Sequence, residues 1–145
     1  MQMLAIIISV VAGAAMSLQG VFNARLSEKI GLFESNVFVQ GTALLFAFIA
    51  WIVAKNGSFS KLQEVNKLYW LGGLLGIVIT ITVMVGVRNL GPAVSVSIIL
   101  IAQLLVAAII DALGLFGTEK IPFLWTKWVG IALMVSGVVV FKVKL

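Results

Sequence analysis

Histidine and cysteine are both missing from this chain of 145 residues, and charged residues make up only 10% of it. The absence of cysteine excludes disulfides and thiolate metal sites, and the absence of histidine removes the commonest metal ligand and acid–base group. Soluble domains average about 25% charged residues. We therefore expect neither a soluble domain nor a nucleic-acid-binding protein, and no cofactor or metal site. Because no nucleophile–base pair or phosphate loop is recognisable either, we do not expect an enzyme.

Long apolar stretches dominate the sequence instead. Hydrophobic residues account for 62% of the chain, and the mean hydropathy is +1.22. A helix needs about 20 mostly apolar residues to cross a bilayer core about 30 Å thick, and it satisfies its own backbone polar groups there. The sequence predicts an all-α integral membrane protein, a single transmembrane domain over residues 1–145 with spans at 3–22, 36–54, 68–87, 93–113 and 123–141.

The connections between the predicted spans are short. Gly91 and Pro92 predict a helix break, and the tripeptide Asn56-Gly57-Ser58 predicts a turn. Because no positively charged segment precedes the first span, we expect it to stay a membrane helix rather than act as a cleaved signal peptide. Aromatic residues are typical of membrane interfaces, and five of them lie near predicted span ends: Trp51, Tyr69, Trp70, Trp125 and Trp128.

Lysine and arginine favour neither orientation in the membrane. In short loops these residues normally mark the cytoplasmic side. Here the two sides are balanced five against five, with Lys55, Lys61, Lys67, Lys120 and Lys127 on one and Arg25, Lys29, Arg88, Lys142 and Lys144 on the other. One interpretation is that one or two of these residues do not influence insertion, which leaves a weak preference for one orientation. We favour the other, in which the chain inserts both ways and pairs as an antiparallel homodimer.

The inverted pair has a second argument in its favour. Five short helices form a thin bundle that hardly encloses a solute path, whereas many transporters place two inverted halves around a site near the midplane. An odd number of spans supplies this inversion, because one copy up and one copy down make a ten-helix inverted repeat. Lipids and a small-molecule substrate are the other expected partners.

Small residues recur at helical spacing in three of the spans, and such residues let membrane helices approach closely. The pairs are Gly13 and Ser17 in the first span, Gly72 and Gly76 in the third, and Gly130 and Gly137 in the fifth. These stripes predict either packing within one chain or contact between two chains. We expect the fifth span to form the dimer contact.

Polar side chains inside lipid are costly and usually face a cavity or a partner. Gln19 and Asn23 are four residues apart on the first predicted helix, with Asn23 just past the end of its span, and Gln103 and Asp111 follow one face of the fourth. We predict that these four residues bind the substrate. Following the chain across the membrane, Gln19 and Asp111 of one copy lie in opposite leaflets, so the two polar stripes can converge only across an inverted dimer.

Other interpretations of the same residues stay open. Asp111 lies near the end of its span and can pair with Lys120 or Lys127. Gln19 and Gln103 can form hydrogen bonds between helices that only stabilise the bundle. The hydroxyl groups inside the spans are expected to bond to their own helix backbone; they belong to Thr80, Thr82, Ser95 and Ser97.

These motifs resemble the YdcZ-type family of the drug/metabolite transporter superfamily. The resemblance covers nearly the whole chain. It rests on Q-x-x-x-N-x-R-L from Gln19 to Leu26, on Phe38-x-x-Gly41-Thr42, on Leu71-Gly72-Gly73 with Gly76, and on Gln103 with Asp111, Gly114 and Gly117. The last helix, with Gly130 and Gly137, also resembles the dimerising helix of small multidrug resistance proteins.

The resemblance implies a five-helix protein that occurs as a dual-topology chain, an oppositely oriented pair or a fused ten-helix form. Two departures limit what is carried over. The first span lacks the embedded Glu of the small multidrug resistance exporters, so their proton exchange chemistry is not implied here. Ala102 stands where the family usually has glycine before the glutamine of the fourth helix.

We therefore expect a transporter of the bacterial inner membrane, an exporter of a small organic solute that works by alternating access in a dual-topology homodimer. A dual-topology channel for an ion or small solute is the first alternative. A membrane subunit that does not itself transport is the second.

Overall fold

The computed structural model describes residues 1–55 and 57–143 of the chain. It contains five long α-helices: α1 (Gln2–Ile30), α2 (Leu32–Ala54), α3 (Gly72–Leu90), α4 (Pro92–Leu113) and α5 (Trp125–Lys142). The described residues include no β-strand. All five helical segments are long and apolar enough to cross a membrane, which confirms the predicted all-helical fold and the number of spans.

The connection between the first two spans is much shorter than predicted. We expected a loop over 23–35, but α1 continues to Ile30 and α2 begins at Leu32. The added turns contain good helix formers, and Arg25 pairs there with Glu28 at 3.1 Å. Hydropathy marks where the lipid ends rather than where a helix ends, and so the prediction stopped too early. Gly31 alone separates the two helices, at φ 101° and ψ 158°.

The remaining boundaries lie close to the predicted ones. The third span opens with a 3₁₀ helix, Lys67–Leu71, so that α3 itself starts at Gly72. Gly91, at φ 79°, precedes Pro92 at the start of α4, as the predicted helix break requires. Asn56 of the predicted turn and Lys144 of the charge balance lie outside the described residues.

The chain divides into two units, and the first, Met1–Asn89, contains α1, α2 and α3. Its packing is concentrated near Gly31: the buried residues of α1 lie in its second half, and those of α2 are Ser35 and Asn36. Small side chains allow this close approach. A Cβ atom on Gly20 would lie 3.2 Å from Cγ1 of Val83 on α3. By contrast, residues 1–16 and 43–54 are all exposed.

The second unit, Leu90–Leu145, contains α4 and α5. Two shallow apolar concavities between these helices, which together we call the groove, share Ile101 and Val138. Gly114 ends α4 in a left-handed conformation at φ 65°, the usual helix stop. A short 3₁₀ helix, Leu115–Gly117, then leads toward α5.

Most of the apolar side chains stay exposed in the single chain. In each of the five helical segments, no more than 11% of the most apolar window is buried. The aromatic residues expected at the membrane interfaces are also exposed, for example Trp125 at 73% and Trp128 at 62%. Such a surface is suited to lipid or to a second membrane chain rather than to water.

Candidate functional site

Gln19 and Asn23 occupy different environments on α1. Asn23 is only 8% exposed and lies on the packed face with Gly20 and Ala24. Gln19, one turn earlier and only about 40° round the helix from Asn23, is exposed. Within the described part of the chain, its amide has no hydrogen bond. The structure therefore turns Gln19 outward and Asn23 toward the neighbouring helices.

Gln103 lies on the side of α4 that faces away from α5. Ile101 lines the groove shared with α5, and Gln103 is about 160° round the helix from it at 3.6 residues per turn. Gln103 is exposed, and among the described residues its side chain also has no hydrogen-bond partner. Two amides, one on α1 and one on α4, are thus presented outward from apolar helices.

Asp111 is half-buried near the end of α4. Its main-chain carbonyl accepts hydrogen bonds from the N–H of Ile121 at 2.9 Å and of Gly114 at 3.3 Å, which fixes the start of the connection to α5. The carboxylate forms no ion pair with Lys120 or Lys127, all three being described residues. Lys127 instead lies 5.6 Å from the centre of the Phe123 ring. The alternative of a salt bridge at Asp111 is therefore not seen in the single chain.

A polar contact between α2 and α3 was not predicted. Nδ2 of Asn36 donates to the main-chain carbonyl of Ile77 at 3.2 Å. One turn further along α2, Nε2 of Gln40 donates to Oγ1 of Thr80 at 3.5 Å. Gly76 lies beside this contact, since a Cβ there would lie 3.7 Å from Nε2 of Gln40, an ordinary van der Waals distance. We call these five residues the α2–α3 polar contact.

Four consecutive carbonyls of α3 accept an additional hydrogen bond from a side chain. Thr80 donates to Gly76 at 2.8 Å, and the single hydroxyl hydrogen of Thr82 is shared between Val78 at 2.8 Å and Ile79 at 3.1 Å, while Ile77 accepts from Asn36 as described above. The expected backbone bonding of the two threonines is confirmed, as is that of Ser97, which donates to Ala93 at 2.8 Å. The Ser95 hydroxyl, for which the same was expected, has no hydrogen bond among the described residues. Extra donors of this kind weaken and bend a helix, so α3 carries a polar section within its span.

Sequence reasoning missed Asn36 and Gln40 because it placed Asn36 at the very start of a span. The usable signal was their spacing. Two amides four residues apart lie on the same helix face, as Gln19 and Asn23 do, and the stretch that contains them is otherwise largely apolar. The acceptor carbonyls on α3 have no sequence signature, because every residue supplies one.

The predicted packing residues separate into two groups. Gly76 faces Gln40, as described, whereas an added Cβ on four other glycines would meet no atom within 4 Å; these are Gly13, Gly72, Gly130 and Gly137. The Ser17 hydroxyl donates to the carbonyl of Gly13 at 3.1 Å. The open glycines on α1, α3 and α5 stay predicted contact points.

Five apolar helices, of which α1, α2 and α4 carry amide side chains within their spans, define a multi-pass helical membrane protein. The model of a family described as "Putative inner membrane exporter, YdcZ" matches residues 4–140. The chain belongs to this family, and the resemblance derived from its motifs is confirmed. It is a multi-pass protein of the inner membrane, and its family is one of transporters rather than enzymes. Among curated proteins and solved structures, no match to the chain was found.

Proposed function

We propose that the chain exports a small organic solute by alternating access, as an antiparallel homodimer. In this proposal Gln19, Asn23, Gln103 and Asp111 of two inverted copies line the solute pathway. Rocking of the two copies about this pathway exposes it to each side of the membrane in turn. The solute drives the cycle through its different affinities for the two states.

The observation that carries the proposal is the position of Gln19 and Gln103. Both amides are exposed on apolar membrane helices. Moving an amide from water into an apolar medium without a hydrogen bond costs roughly 2–7 kcal/mol. A second copy that covers these two amides and encloses a polar cavity removes that cost, and the five-against-five charge balance allows the second copy to be inverted.

The charge distribution favours a neutral or weakly cationic solute. None of the described lysine and arginine side chains is buried, so an anionic solute lacks a buried cation to bind it. The candidate pathway offers three amides and the carboxylate of Asp111. These groups donate and accept hydrogen bonds, and Asp111 can attract a positive charge.

Solute flux from proteoliposomes tests the proposed activity. We expect saturable efflux of at least one compound from a panel of labelled neutral and monocationic organic solutes, and at least a tenfold loss in a Gln19→Ala/Gln103→Ala variant. Ile98→Ala, on the groove side of α4, is the control. Conductance without saturation would show a channel, and a stable dimer with no flux of any kind would support a subunit that does not transport.

Crosslinking between copies tests the inverted arrangement. The chain has no cysteine, so each variant has a single thiol. One tagged copy carries Gln19→Cys, and a second copy with a different tag carries Asp111→Cys. We expect a disulfide between the two copies, and none when Ile109→Cys replaces Asp111→Cys. Crosslinking confined to a double variant within single chains would overturn the inverted dimer.

A further inference from the structure

We infer that Gln40 lines the solute pathway and that its carbonyl oxygen accepts a hydrogen bond from the solute. This rests on the proposed function and adds to it the α2–α3 polar contact. The inference starts from two amides on one face of α2 whose hydrogen bonds to α3 differ in length. Asn36 and Gln40 are one turn apart, but only one of them is firmly held.

Asn36 is the firmly held amide. It is 5% exposed, and its Nδ2 donates to the carbonyl of Ile77 at 3.2 Å. Gln40 is less buried, and its single hydrogen bond, to Oγ1 of Thr80, is 3.5 Å long. Bonds of N–H to oxygen are usually 2.7–3.2 Å long. The link between Gln40 and Thr80 is therefore weak enough to exchange.

Oε1 of Gln40 has no hydrogen-bond partner among the described residues. The Thr80 hydroxyl cannot serve as its donor while its hydrogen is directed to the carbonyl of Gly76 at 2.8 Å. A carbonyl oxygen within an apolar span is costly unless it accepts a hydrogen bond. An N–H or O–H group of a solute supplies what is missing, so the expected class of solute is an alcohol, an amine or an amide.

The neighbouring surface of α2 has the opposite character. Gly41 is the next residue, about 100° round the helix, and lines an apolar concavity with Leu44, Leu45 and Phe48. A side chain at Gly41 would meet no atom within 4 Å. Two adjacent positions at nearly the same depth thus present a polar and an apolar face, which makes Gly41 a matched control for Gln40.

Cysteine labelling in native membranes tests whether Gln40 lines the pathway. The probe is 2-aminoethyl methanethiosulfonate, which reacts with thiols in contact with water. We expect Gln40→Cys to react at least tenfold faster than Gly41→Cys. Thr80→Cys serves as a second reporter if Gln40→Cys does not fold, and is expected to react as well. Equal rates at positions 40 and 41, or no reaction at either 40 or 80, would overturn the inference.

A second comparison tests the acceptor role of the carbonyl. Two reagents are compared on the Thr80→Cys variant. The aminoethyl reagent has N–H donors, whereas the trimethylammonioethyl reagent has the same charge and no N–H group. Changing Gln40→Leu in this background should lower the rate ratio of the two reagents by about threefold or more, as expected for one lost hydrogen bond. An unchanged ratio would overturn the acceptor role.

A stability measurement separates this role from a structural one. Gln40→Leu should leave the melting temperature nearly unchanged, whereas Asn36→Leu should lower it by several degrees because it breaks the firmly held bond. A large loss of stability from Gln40→Leu would mean that Gln40 is structural, against the inference. Labelling does not depend on flux, so the two ideas can fail separately. A reactive Gln40→Cys in a protein that does not transport would reject the proposed function alone. Transport by a protein in which positions 40 and 80 are both unreactive would reject the inference alone.

Discussion

Gly20 and Gly13 are on the same face of α1, yet only one of them has a neighbour. A Cβ on Gly20 would lie 3.2 Å from Cγ1 of Val83 and 3.7 Å from Cγ2 of Val87, whereas one on Gly13 would meet nothing within 4 Å. Seven residues bring two positions to nearly the same angle on a helix. The difference therefore arises from where α3 packs along α1, and not from the residue type.

We expect Gly20→Leu to lower the melting temperature more than Gly13→Leu does, because only Gly20 has a neighbour within the chain. The added side chain at position 20 overpacks the contact with Val83 and Val87, which typically costs about 1–3 kcal/mol. At position 13 it enters open space and replaces glycine by a better helix former. Thermal unfolding in detergent, followed by tryptophan fluorescence, measures both. Similar melting temperatures for the two variants would contradict the packing seen around Gly20.

The hairpin of α1 and α2 is the element with the tightest connection in the first unit. Only Gly31 separates the two helices, at φ 101° and ψ 158°, a region open essentially to glycine alone. A Cβ at this position would also contact the side chain of Glu34. The Ser35 hydroxyl donates to the Gly31 carbonyl at 2.7 Å. Three buried residues, Ser27 of α1 and Ser35 and Asn36 of α2, lie within five residues of this connection.

Replacing Gly31 with alanine should lower stability by about 1–3 kcal/mol, the usual cost of a non-glycine residue in such a conformation. Gly41→Ala is the control, because Gly41 is in a regular helix with open space around it. Unfolding temperatures of the two variants provide the measurement. If Gly31→Ala were as stable as the wild type, the one-residue connection would be wrong.

At the scale of the whole molecule, the balance of charge is the feature that bears on assembly. Five lysines lie on one predicted side, and five lysines and arginines lie on the other. Orientation follows an excess of such residues in cytoplasmic loops, so a small change in number should decide it. Lys61 and Lys67 suit this test, since both are exposed and belong to the 3₁₀ helices between α2 and α3.

We expect the pair Lys61→Gln and Lys67→Gln to place every C-terminus in the cytoplasm, because the other side then has the larger positive charge. Wild type should show both orientations. Fluorescent and phosphatase fusions at the C-terminus measure them, and Lys61→Arg with Lys67→Arg is the control.

The biased variant should also lose transport and regain it when expressed with Arg88→Gln/Lys142→Gln, which is biased in the opposite direction. Full transport by the biased variant alone would contradict an inverted homodimer.

Local composition was enough to predict the spans, because each helix must be apolar over its whole membrane length, whatever it packs against. For the same reason the break at Gly91 and Pro92 was predictable: glycine and proline act on their own backbone. The continuation of α1 through Arg25 and Glu28 was not, since a polar helix and a polar loop have similar hydropathy.

The sequence by itself therefore determined that this chain is a five-helix membrane protein with amides at Gln19, Asn23 and Gln103 within or at the edges of its spans. Only the tertiary structure decided how such groups are used: Asn23 packed and Gln19 exposed on one helix, Asp111 without a salt bridge, and Asn36 and Gln40 joined to α3. The physical reason is that a side chain's polarity is local, whereas its hydrogen-bond partner is supplied by a helix distant in sequence, often by a main-chain carbonyl that no residue type reveals.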